Sequence, residues 1–449
     1  MSQGYEIADI PKMDPAEVST LEADCIQICQ ELIQIPSVNW GEGKGDEKAV
    51  AEYVARKLQE TGIESELIIT GENRVNVVAK ITGKDQSKPG LVVHGHLDVV
   101  PANASDWSVD PFSGVIKDGY IWGRGAVDMK DMDAMIIAVV RSWHRTKFVP
   151  ERNLLLVFFA DEEAGSEFGS RWLVANRPEI FDGFTEAISE VGGFSVTLKS
   201  GSRLYFIESA QKGINWLELT AKGSAGHGSF INSDNAVTKL SRAISKLGTH
   251  VWPNRQTKTG KIFWPKIAEL SRKKYDPDNV ENLLDELGGA ARMMGATVQN
   301  TANPTMLTAG YKANVIPGSA SAVIDTRFLP GFEEEALETV RKIVGPEIEI
   351  KVLVRDKALE VDFNGPIVDA MIAAIKEFDP DGIAVPYVMS GGTDNKALSD
   401  LGIVGYGFSP VKLPPELDFF ALFHGVDERI PVEGLKFGVR TLNHFLQRA

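Results

Sequence analysis

Cysteine is scarce in this chain. Only two are present among 449 residues, Cys25 and Cys29, and they lie four positions apart in an apolar stretch with helical spacing. That context favours packing in a core, because buried thiols behave as small hydrophobic groups. We therefore expect both thiols in the core, with a metal site or a disulfide as the open alternative.

The chain also lacks long hydrophobic runs and an excess of basic residues. No apolar run is long enough to span a bilayer and no signal peptide is recognisable, which predicts a cytoplasmic protein with no membrane partner. The formal net charge of -15 at pH 7 argues against nucleic acid as a partner. The negative net charge is also compatible with a cluster of carboxylates that binds cations.

Helical and strand patterns alternate over most of the chain after a loose start, which is typical of an α/β fold. The alternation runs to about residue 210 and resumes at about 358. Between these points the predicted elements follow the order β-α-β-β-α-β, the split βαβ arrangement. The sequence therefore predicts a discontinuous α/β domain of residues 1–210 and 358–449. Residues 211–357 form an inserted domain, within which residues 252–300 are expected to be irregular and partly helical.

One stretch, LVVHGHLDVVP at residues 91–101, combines a buried strand with groups that bind metals. His96 and Asp98 are two residues apart and would share a face of extended backbone. A carboxylate there can accept a hydrogen bond from the second imidazole nitrogen and leave the first for a metal. His94 has the same parity, but we expect it to pack or to support the site rather than bind a metal.

Further acids and an imidazole follow other strands or occupy loops. In open α/β sheets, such residues meet beyond the carboxyl ends of the strands. If they converge, the cleft holds five carboxylates, namely Asp98, Asp128, Glu162, Glu163 and Glu190, together with His96 and His424.

Five carboxylates in one cleft cannot all stay ionised without compensation, which two divalent cations would supply. Mixed imidazole and carboxylate ligands suit zinc, with cobalt or manganese as alternatives. Two metals that share a bridging carboxylate are typical of sites that activate water.

Five motifs together resemble one family. They are GHLDVVP at 95–101, GRGAVDMK at 123–130, ADEEAGS at 160–166, SEVGG at 189–193 and HGVDERI at 424–430. Their order and spacing are similar to those of the co-catalytic zinc peptidases and amidohydrolases, which include glutamate carboxypeptidase, aminoacylase, acetylornithine deacetylase and succinyl-diaminopimelate desuccinylase. The resemblance covers nearly the whole chain. It implies a mixed-sheet, dinuclear-zinc catalytic domain with an inserted ferredoxin-like lid and dimerisation domain.

The resemblance also implies a role for each residue of the motifs. Asp98 orients a metal ligand, and Glu162 is the general base that takes a proton from the attacking water. A base must lie near the water but outside the metal shell, and adjacent glutamates can divide those tasks. The implied metal ligands are His96, Asp128, Glu163, Glu190 and His424.

The inserted domain resembles the family in its substrate residues. His227, in the glycine-rich loop 223–229, matches a histidine that polarises the scissile carbonyl, often from the partner subunit of a homodimer. Asn314 and Arg327 match positions that hold a substrate carboxylate, a task that suits an arginine fork. Gly392 and Thr393 match a loop that approaches the substrate backbone.

The sequence thus predicts a metal-dependent hydrolase of amide bonds in small substrates, such as a dipeptide, an N-acyl amino acid or a C-terminal residue. A two-metal phosphoesterase is one rival. Of the basic residues with which such an enzyme would bind phosphate, only Arg124 and Lys130 lie near the motifs. A non-catalytic metal-binding protein is the other. The amide substrate, the native metal, the subunit from which His227 acts and the role of residues 252–300 stay open.

Overall fold

The computed structural model describes residues 12–449, so residues 1–11 of the predicted loose start lie outside the described part of the chain. The helices are α1 Pro15–Ile33, α2 Lys48–Gln59, α3 Lys130–Thr146, α4 Ser170–Asn176, α5 Ala236–Gly248, α6 Gly260–Ser271, α7 Glu281–Leu284, α8 Ala291–Gly295, α9 Glu333–Val344, α10 Pro366–Phe378, α11 Asn395–Leu398 and α12 Val432–Leu446. Within residues 12–449, none of them combines the length and apolarity needed to cross a membrane.

Nineteen strands form two larger and two smaller sheets in the described residues. They are β1 Ser65–Gly71, β2 Arg74–Ile81, β3 Gly90–His96, β4 Ile116–Lys117, β5 Tyr120–Trp122, β6 Leu154–Phe159, β7 Phe184–Ser189, β8 Phe194–Thr197, β9 Arg203–Gln211, β10 Gly213–Lys222, β11 Gly226–His227, β12 Thr301–Ala309, β13 Val315–Ile316, β14 Ser319–Phe328, β15 Ile348–Asp356, β16 Leu359–Glu360, β17 Ile383–Met389, β18 Val404–Gly407 and β19 Arg429–Pro431.

The larger sheet is mixed and has ten strands. Its order is β1-β2-β6-β3-β7-β18-β9-β16, and β8 and β17 also pair with β9. Strands β6, β3, β7 and β18 are parallel neighbours. All six residues of β6, LLLVFF, are buried, as expected for a strand covered on both faces. The parallel strands therefore end at a common edge, which is where the candidate site lies.

Helices α1, α3 and α12 pack together beside this sheet. Asp14 caps α1 by accepting a hydrogen bond from the backbone N–H of Ala16, and Pro15 occupies the first turn, where proline is favoured. The buried face of α1 includes Cys25 and Cys29, and both thiols are free. The expectation that these cysteines serve in packing is confirmed.

The second sheet is antiparallel and has the order β12-β14-β10-β15. Its strands and helices follow the chain as β10, α5, β12, β14, α9 and β15, which is the predicted β-α-β-β-α-β order. Helices α5 and α9 contact each other and the sheet, and they share with it a hydrophobic cluster separate from the larger core. The chain passes from the larger sheet to this one at Lys212 and returns after Asp356.

Residues 260–298 form three helices that pack in the core of the larger sheet. Phe263, Trp264, Leu283 and Met294 belong to the core of the larger sheet. The predicted insert of 211–357 therefore contains a segment whose side chains belong to the main core. The domain boundaries themselves stay a prediction.

Candidate metal centre and substrate cavity

Three parallel strands bring the sequence motifs to one edge of the larger sheet. Strand β3 lies between β6 and β7. It ends at His96, while Glu162 and Glu163 follow β6 and Glu190 follows β7. The carboxyl ends of neighbouring parallel strands form the usual ligand crevice of such sheets, so these side chains face a common space.

Two groups of candidate metal ligands share the carboxylate of Asp128. In the first, His96 Nε2 lies 3.1 Å from Asp128 Oδ1 and 3.6 Å from Glu190 Oε2. In the second, His424 Nε2 lies 3.2 Å from Asp128 Oδ2 and 3.0 Å from Glu163 Oε2. Within each group the candidate ligand atoms all lie within 4.8 Å of one another. The structure thus brings together all five predicted ligands, with one oxygen of Asp128 toward each group.

The donor chemistry fits two cations. The Nδ1–H of His96 donates to the backbone oxygen of Asp98, at 3.0 Å, which leaves the Nε2 lone pair directed at the Asp128 carboxylate. Two such acceptors need a proton or a cation between them. In addition, Glu163 Oε1 is buried without a hydrogen-bond partner. Three carboxylates and two imidazoles are a ligand set that zinc accepts.

The electrostatics of the site agree with this fit. Burial raises the pKa of Glu190 to about 7, although His96 opposes the shift. Hydrogen bonds to Asp128 and Glu163 raise the pKa of His424 to about 10. Burial disfavours the charged form of Asp128, but the neighbouring imidazoles of His424 and His96 outweigh burial and lower its pKa. Each group thus depends on opposite charge nearby, as expected where carboxylates are gathered to hold cations.

Asp98 supports the site differently from the sequence expectation. Its carboxylate was expected to hold the ring of His96, but the nearest carboxylate oxygen is 3.6 Å from His96 Nδ1, farther than its backbone oxygen. The carboxylate instead accepts hydrogen bonds from the backbone N–H groups of Glu162 and Glu163, both at 3.1 Å. Strand β3 ends at His96, two residues before Asp98.

A second buried carboxylate, Glu428, performs the same task for the loop that carries Asp128, and sequence reasoning missed it. Glu428 accepts hydrogen bonds from the backbone N–H groups of Gly125 at 3.1 Å, Val127 at 2.7 Å and Asp128 at 3.3 Å. It also pairs with Arg124 at 2.7 Å. Its position four residues after His424, inside the HGVDERI motif, was the signal that could have found it.

His94 is buried and does not face the ligand groups. Its Nε2 lies 2.9 Å from Asn395 Oδ1, and its ring packs edge-on against Phe159. Burial lowers the pKa of His94 to about 4. This side chain is neutral and packed, which agrees with the expectation that it is not a ligand.

A cavity of about 1070 Å³ opens beside the ligand groups. Glu162 lines it, as do three of the predicted substrate residues, Arg327, Gly392 and Thr393. Thr393 is held by Gln211, whose Nε2 donates to Thr393 Oγ1 at 2.7 Å. The structure therefore brings the predicted base and most of the predicted substrate residues to one space.

His227 and Asn314 are not among the residues that line this cavity. They lie side by side where β11 pairs with β13, and the N–H of Gly228 donates to the backbone oxygen of Asn314 at 2.9 Å. Both side chains are exposed. Within one chain, these two residues are separate from the candidate site.

Apolar and cationic side chains line the cavity, and their combination was not predicted from the sequence. Met293, from the segment of residues 252–300, lines the cavity, whereas its neighbour Met294 is in the core. The other apolar lining residues include Trp216, Leu353, Val354, Phe420 and Phe423, and the cationic ones besides Arg327 are Arg171, Arg292, Arg355 and Lys396.

Comparison with known proteins agrees with this geometry. The profile of Peptidase family M20/M25/M40 matches residues 92–448. The chain belongs to this family. Membership of the M20/M25/M40 family identifies the chain as a metal-dependent hydrolase of amide bonds, as predicted. It does not support the phosphoesterase or the non-catalytic alternative.

Relatives in this family have several substrates. The mouse (Mus musculus) N-fatty-acyl-amino acid synthase/hydrolase PM20D1 is 29% identical over 463 residues, which cover 97% of this chain and 90% of the relative. The structure of the di-peptidase Dug1p of Saccharomyces cerevisiae matches with a TM-score of 0.69 at 17% identity. The match covers 96% of this chain and 97% of the Dug1p chain. The metallo-carboxypeptidase Sso-CP2 of Sulfolobus solfataricus has a TM-score of 0.69 at 20% identity, with coverage of 97% and 99%. The two structures show that the fold is shared.

Proposed function

We propose that this enzyme hydrolyses N-acyl amino acids whose acyl group is apolar, and that dipeptides are the competing substrate class. The observation that carries the proposal is the pairing of an apolar wall with guanidinium groups in a cavity next to the candidate metal ligands. An apolar wall suits an acyl chain, while a guanidinium suits the carboxylate of the amino acid. The similarity to a fatty-acyl-amino acid hydrolase supports the same substrate class.

Two metal ions, which we propose to be zinc, would be held by His96, Asp128 and Glu190 and by Asp128, Glu163 and His424. When bound, the ions supply Lewis-acid polarisation and make a water molecule acidic enough to attack at neutral pH. The remaining chemistry falls to side chains of this chain.

Glu162 has the position expected of the general base. It lines the cavity, is adjacent to the candidate ligand Glu163, and belongs to neither ligand group. We propose that its carboxylate takes the proton of the attacking water and passes it to the leaving nitrogen. The amide bond then breaks to give a carboxylic acid and an amine.

Arg327 is the proposed partner of the substrate carboxylate. Its Nε and Nη2 donate to the Asp325 carboxylate at 2.7 and 3.1 Å, which fixes the plane of the guanidinium before substrate arrives. Gly392 and Thr393 lie in a neighbouring loop of the same cavity. A Cβ at Gly392 would meet Lys396 Nζ at 2.7 Å, so glycine there permits that lysine to lie close against the loop.

His227 and Asn314 would complete the site from a second subunit. Both are exposed and lie outside the cavity of their own chain. The edge strand β12 is also open, and its Met306 and Leu307 are 63% and 61% exposed. Exposed edges with large apolar side chains favour pairing with another chain. We therefore propose a homodimer in which each His227 stabilises the oxyanion formed in the partner's cavity.

A mixed dimer tests this arrangement. The variants His227→Ala and Glu162→Gln are each expected to be inactive alone, since one lacks the oxyanion donor and the other lacks the base. When they are mixed and allowed to exchange subunits, heterodimers regain one intact site, so activity should return to about a quarter of the wild-type rate, because half of the dimers are mixed and each has one working site. Hydrolysis measured before and after exchange provides the readout, and mixtures that stay inactive although exchange is complete would argue that His227 acts within its own chain.

The substrate class is tested by a panel with added zinc or cobalt. We expect hydrolysis of N-acyl amino acids to rise with acyl length from acetyl to dodecanoyl, because longer chains bury more apolar surface against the cavity wall. Dipeptides and a phosphate monoester complete the panel. If the enzyme hydrolysed dipeptides and none of the N-acyl amino acids, the proposed substrate class would be wrong and the enzyme would be a dipeptidase.

Met293→Trp should shorten the preferred acyl chain. The larger side chain would fill part of the cavity, and each methylene excluded from an apolar pocket costs about 10-fold or more in specificity. The ratio of kcat/KM for dodecanoyl to acetyl substrates should therefore fall at least about 10-fold. Ile69→Trp is the matched control, because Ile69 is exposed on β1 and outside the cavity. An equal ratio in both variants would exclude Met293 from the acyl site.

We also propose a cytoplasmic location. The two free thiols, Cys25 and Cys29, are compatible with a reducing compartment. Fractionation of cells that express the tagged chain would test it.

A further inference from the structure

Behind the turn that carries Glu162 and Glu163 lies a buried polar network that the mechanism has not used. Its members are Asn39, Arg74, Asp98 and Asp161, and each is at most 4% exposed. Buried polar groups of this kind are costly unless they are fully bonded, and bonded networks fix local geometry. The network therefore has the properties of a support for the catalytic turn.

Asn39 joins the two carboxylates of this network. Its Nδ2 donates to Asp98 Oδ2 at 2.8 Å and to Asp161 Oδ1 at 3.0 Å. Its own carbonyl oxygen accepts from the backbone N–H of Gly41 at 2.9 Å, which fixes the orientation of the amide. Both N–H groups of the amide thus point at carboxylates.

Arg74 supplies the positive charge. Its guanidinium pairs with Glu47 on one side and with Asp161 on the other. The second oxygen of Asp161 accepts from the backbone N–H of Phe168 at 3.0 Å. Asp161 is therefore held from three directions, by Asn39, Arg74 and the backbone of the following loop.

This anchoring determines the direction of the next two residues. Asp161 has a left-handed backbone conformation, φ 67°, which aspartate tolerates better than most other side chains do. Directly after it, the N–H groups of Glu162 and Glu163 bond to the Asp98 carboxylate. The turn is thus fixed through its side chain at 161 and its backbone at 162 and 163.

We propose that Asn39 is a positioning residue for the general base: it couples Asp98 to Asp161 and so holds the backbone of Glu162 in the orientation that catalysis needs, with Arg74 as the charge that keeps Asp161 in place. The inference rests on the proposed role of Glu162. Asn39 itself lies outside the residues that line the cavity and acts through the turn.

The test is a double-mutant cycle of Asn39→Ala with Glu162→Gln, in enzyme saturated with zinc. Asn39→Ala should lower kcat about 10–100-fold, the usual cost of losing an outer partner of a metal site. KM should stay within about 2-fold, and two zinc ions should remain bound, because no group that contacts substrate or metal has changed. In the Glu162→Gln background the same substitution should cost less than about 3-fold, since the base is already absent.

A matched control separates positioning from general stability. Asn443 is also 4% exposed, and it accepts a hydrogen bond from Trp143 Nε1 at 2.7 Å in the helical layer. Asn443→Ala should lower the Tm by an amount similar to Asn39→Ala and leave kcat unchanged. Arg74→Lys is the second variant: it retains the charge but cannot bridge two carboxylates as a fork, so it should lower kcat less than Asn39→Ala and preserve zinc binding.

Three results would overturn the inference. They are an unchanged kcat in Asn39→Ala, an equal loss in both backgrounds of the cycle, and loss of zinc from Asn39→Ala at saturating metal. If Glu162→Gln alone retained wild-type turnover, the proposed role of Glu162 as the general base would fail instead, so the two failures are distinguishable.

Discussion

Glu162→Gln is expected to lower kcat by about 10²–10⁴-fold, the typical contribution of general-base catalysis. Glutamine keeps the shape of glutamate but cannot accept a proton from water at neutral pH. Because Glu162 belongs to neither ligand group, the variant should still bind two zinc ions. Its KM should change little. KM rises when a contact made equally in the ground state and the transition state is lost, and the glutamine side chain removes no such contact.

The comparison requires kcat, KM and the zinc content of the same preparation. Glu167→Gln is a close control, because Glu167 lines the same cavity, is exposed and lies outside both ligand groups. It should retain the wild-type rate. A Glu162→Gln enzyme with two zinc ions and full activity would mean that another group takes the proton.

Asp128→Asn should remove activity more completely, because it affects both ligand groups at once. The two oxygens of Asp128 face His96 and His424 separately, and an amide offers only one oxygen as a ligand. Outer partners of metal sites already cost about 10–100-fold in affinity, so a shared direct ligand should cost more. We expect zinc content to fall from two ions to one or fewer, with turnover reduced by more than about 100-fold.

Calorimetric titration of the metal-free protein with zinc measures this effect independently of turnover. Asp182→Asn is the control, because Asp182 is exposed and precedes β7, whereas the candidate ligand Glu190 follows it. This variant should show two unchanged binding events. Two tight zinc ions in Asp128→Asn would show that the shared carboxylate is not a bridge.

The ligand motifs could be predicted because they depend on one geometric fact. His96 ends one strand, Glu163 and Glu190 come after two others, and the three strands are parallel neighbours. An apolar run that ends in acids or imidazoles is visible in a sequence, and the rule that such ends meet is general for these sheets. The packing of Cys25 and Cys29 and the order of the second sheet were predicted for similar reasons of pattern.

Contacts between loops could not be predicted in the same way. Asp98 and Glu428 bond mainly to backbone N–H groups, which every residue has. Their side-chain partners, Asn39 and Arg124, are distant in the chain, so no local pattern marks them. Asn39 is invisible for the same reason, since its partners are far away in the chain and its neighbours form no motif.

Strand β9 was missed although it pairs with β8, β16, β17 and β18 in the larger sheet. It is almost wholly buried, yet it contains Glu208, Ser209 and Gln211. Those buried polar residues interrupt the apolar run without producing the alternation of a half-exposed strand. The segment of residues 252–300 was ambiguous for a related reason, because short helices packed on a large core show little periodicity.

The positions of His227 and Asn314 show a different limit. Their motifs resemble substrate residues, but in one chain they lie apart from the cavity. Resemblance in sequence alone does not tell whether such residues reach the cavity of their own chain.

Asp128 lies between His96 and His424, and this arrangement has a consequence for the order in which the ligands of the site are synthesised. Ribosomes add about 5–20 residues per second, so the more than 300 residues that separate the two histidines take roughly 15–65 s to synthesise. His96, Asp128 and Glu190, which form the first ligand group, are all synthesised early in that interval. The second group stays incomplete until His424 has been added. The ligand side chains of the two groups are therefore synthesised in sequence, and the loop of Asp128 gains the support of Glu428 only at the end.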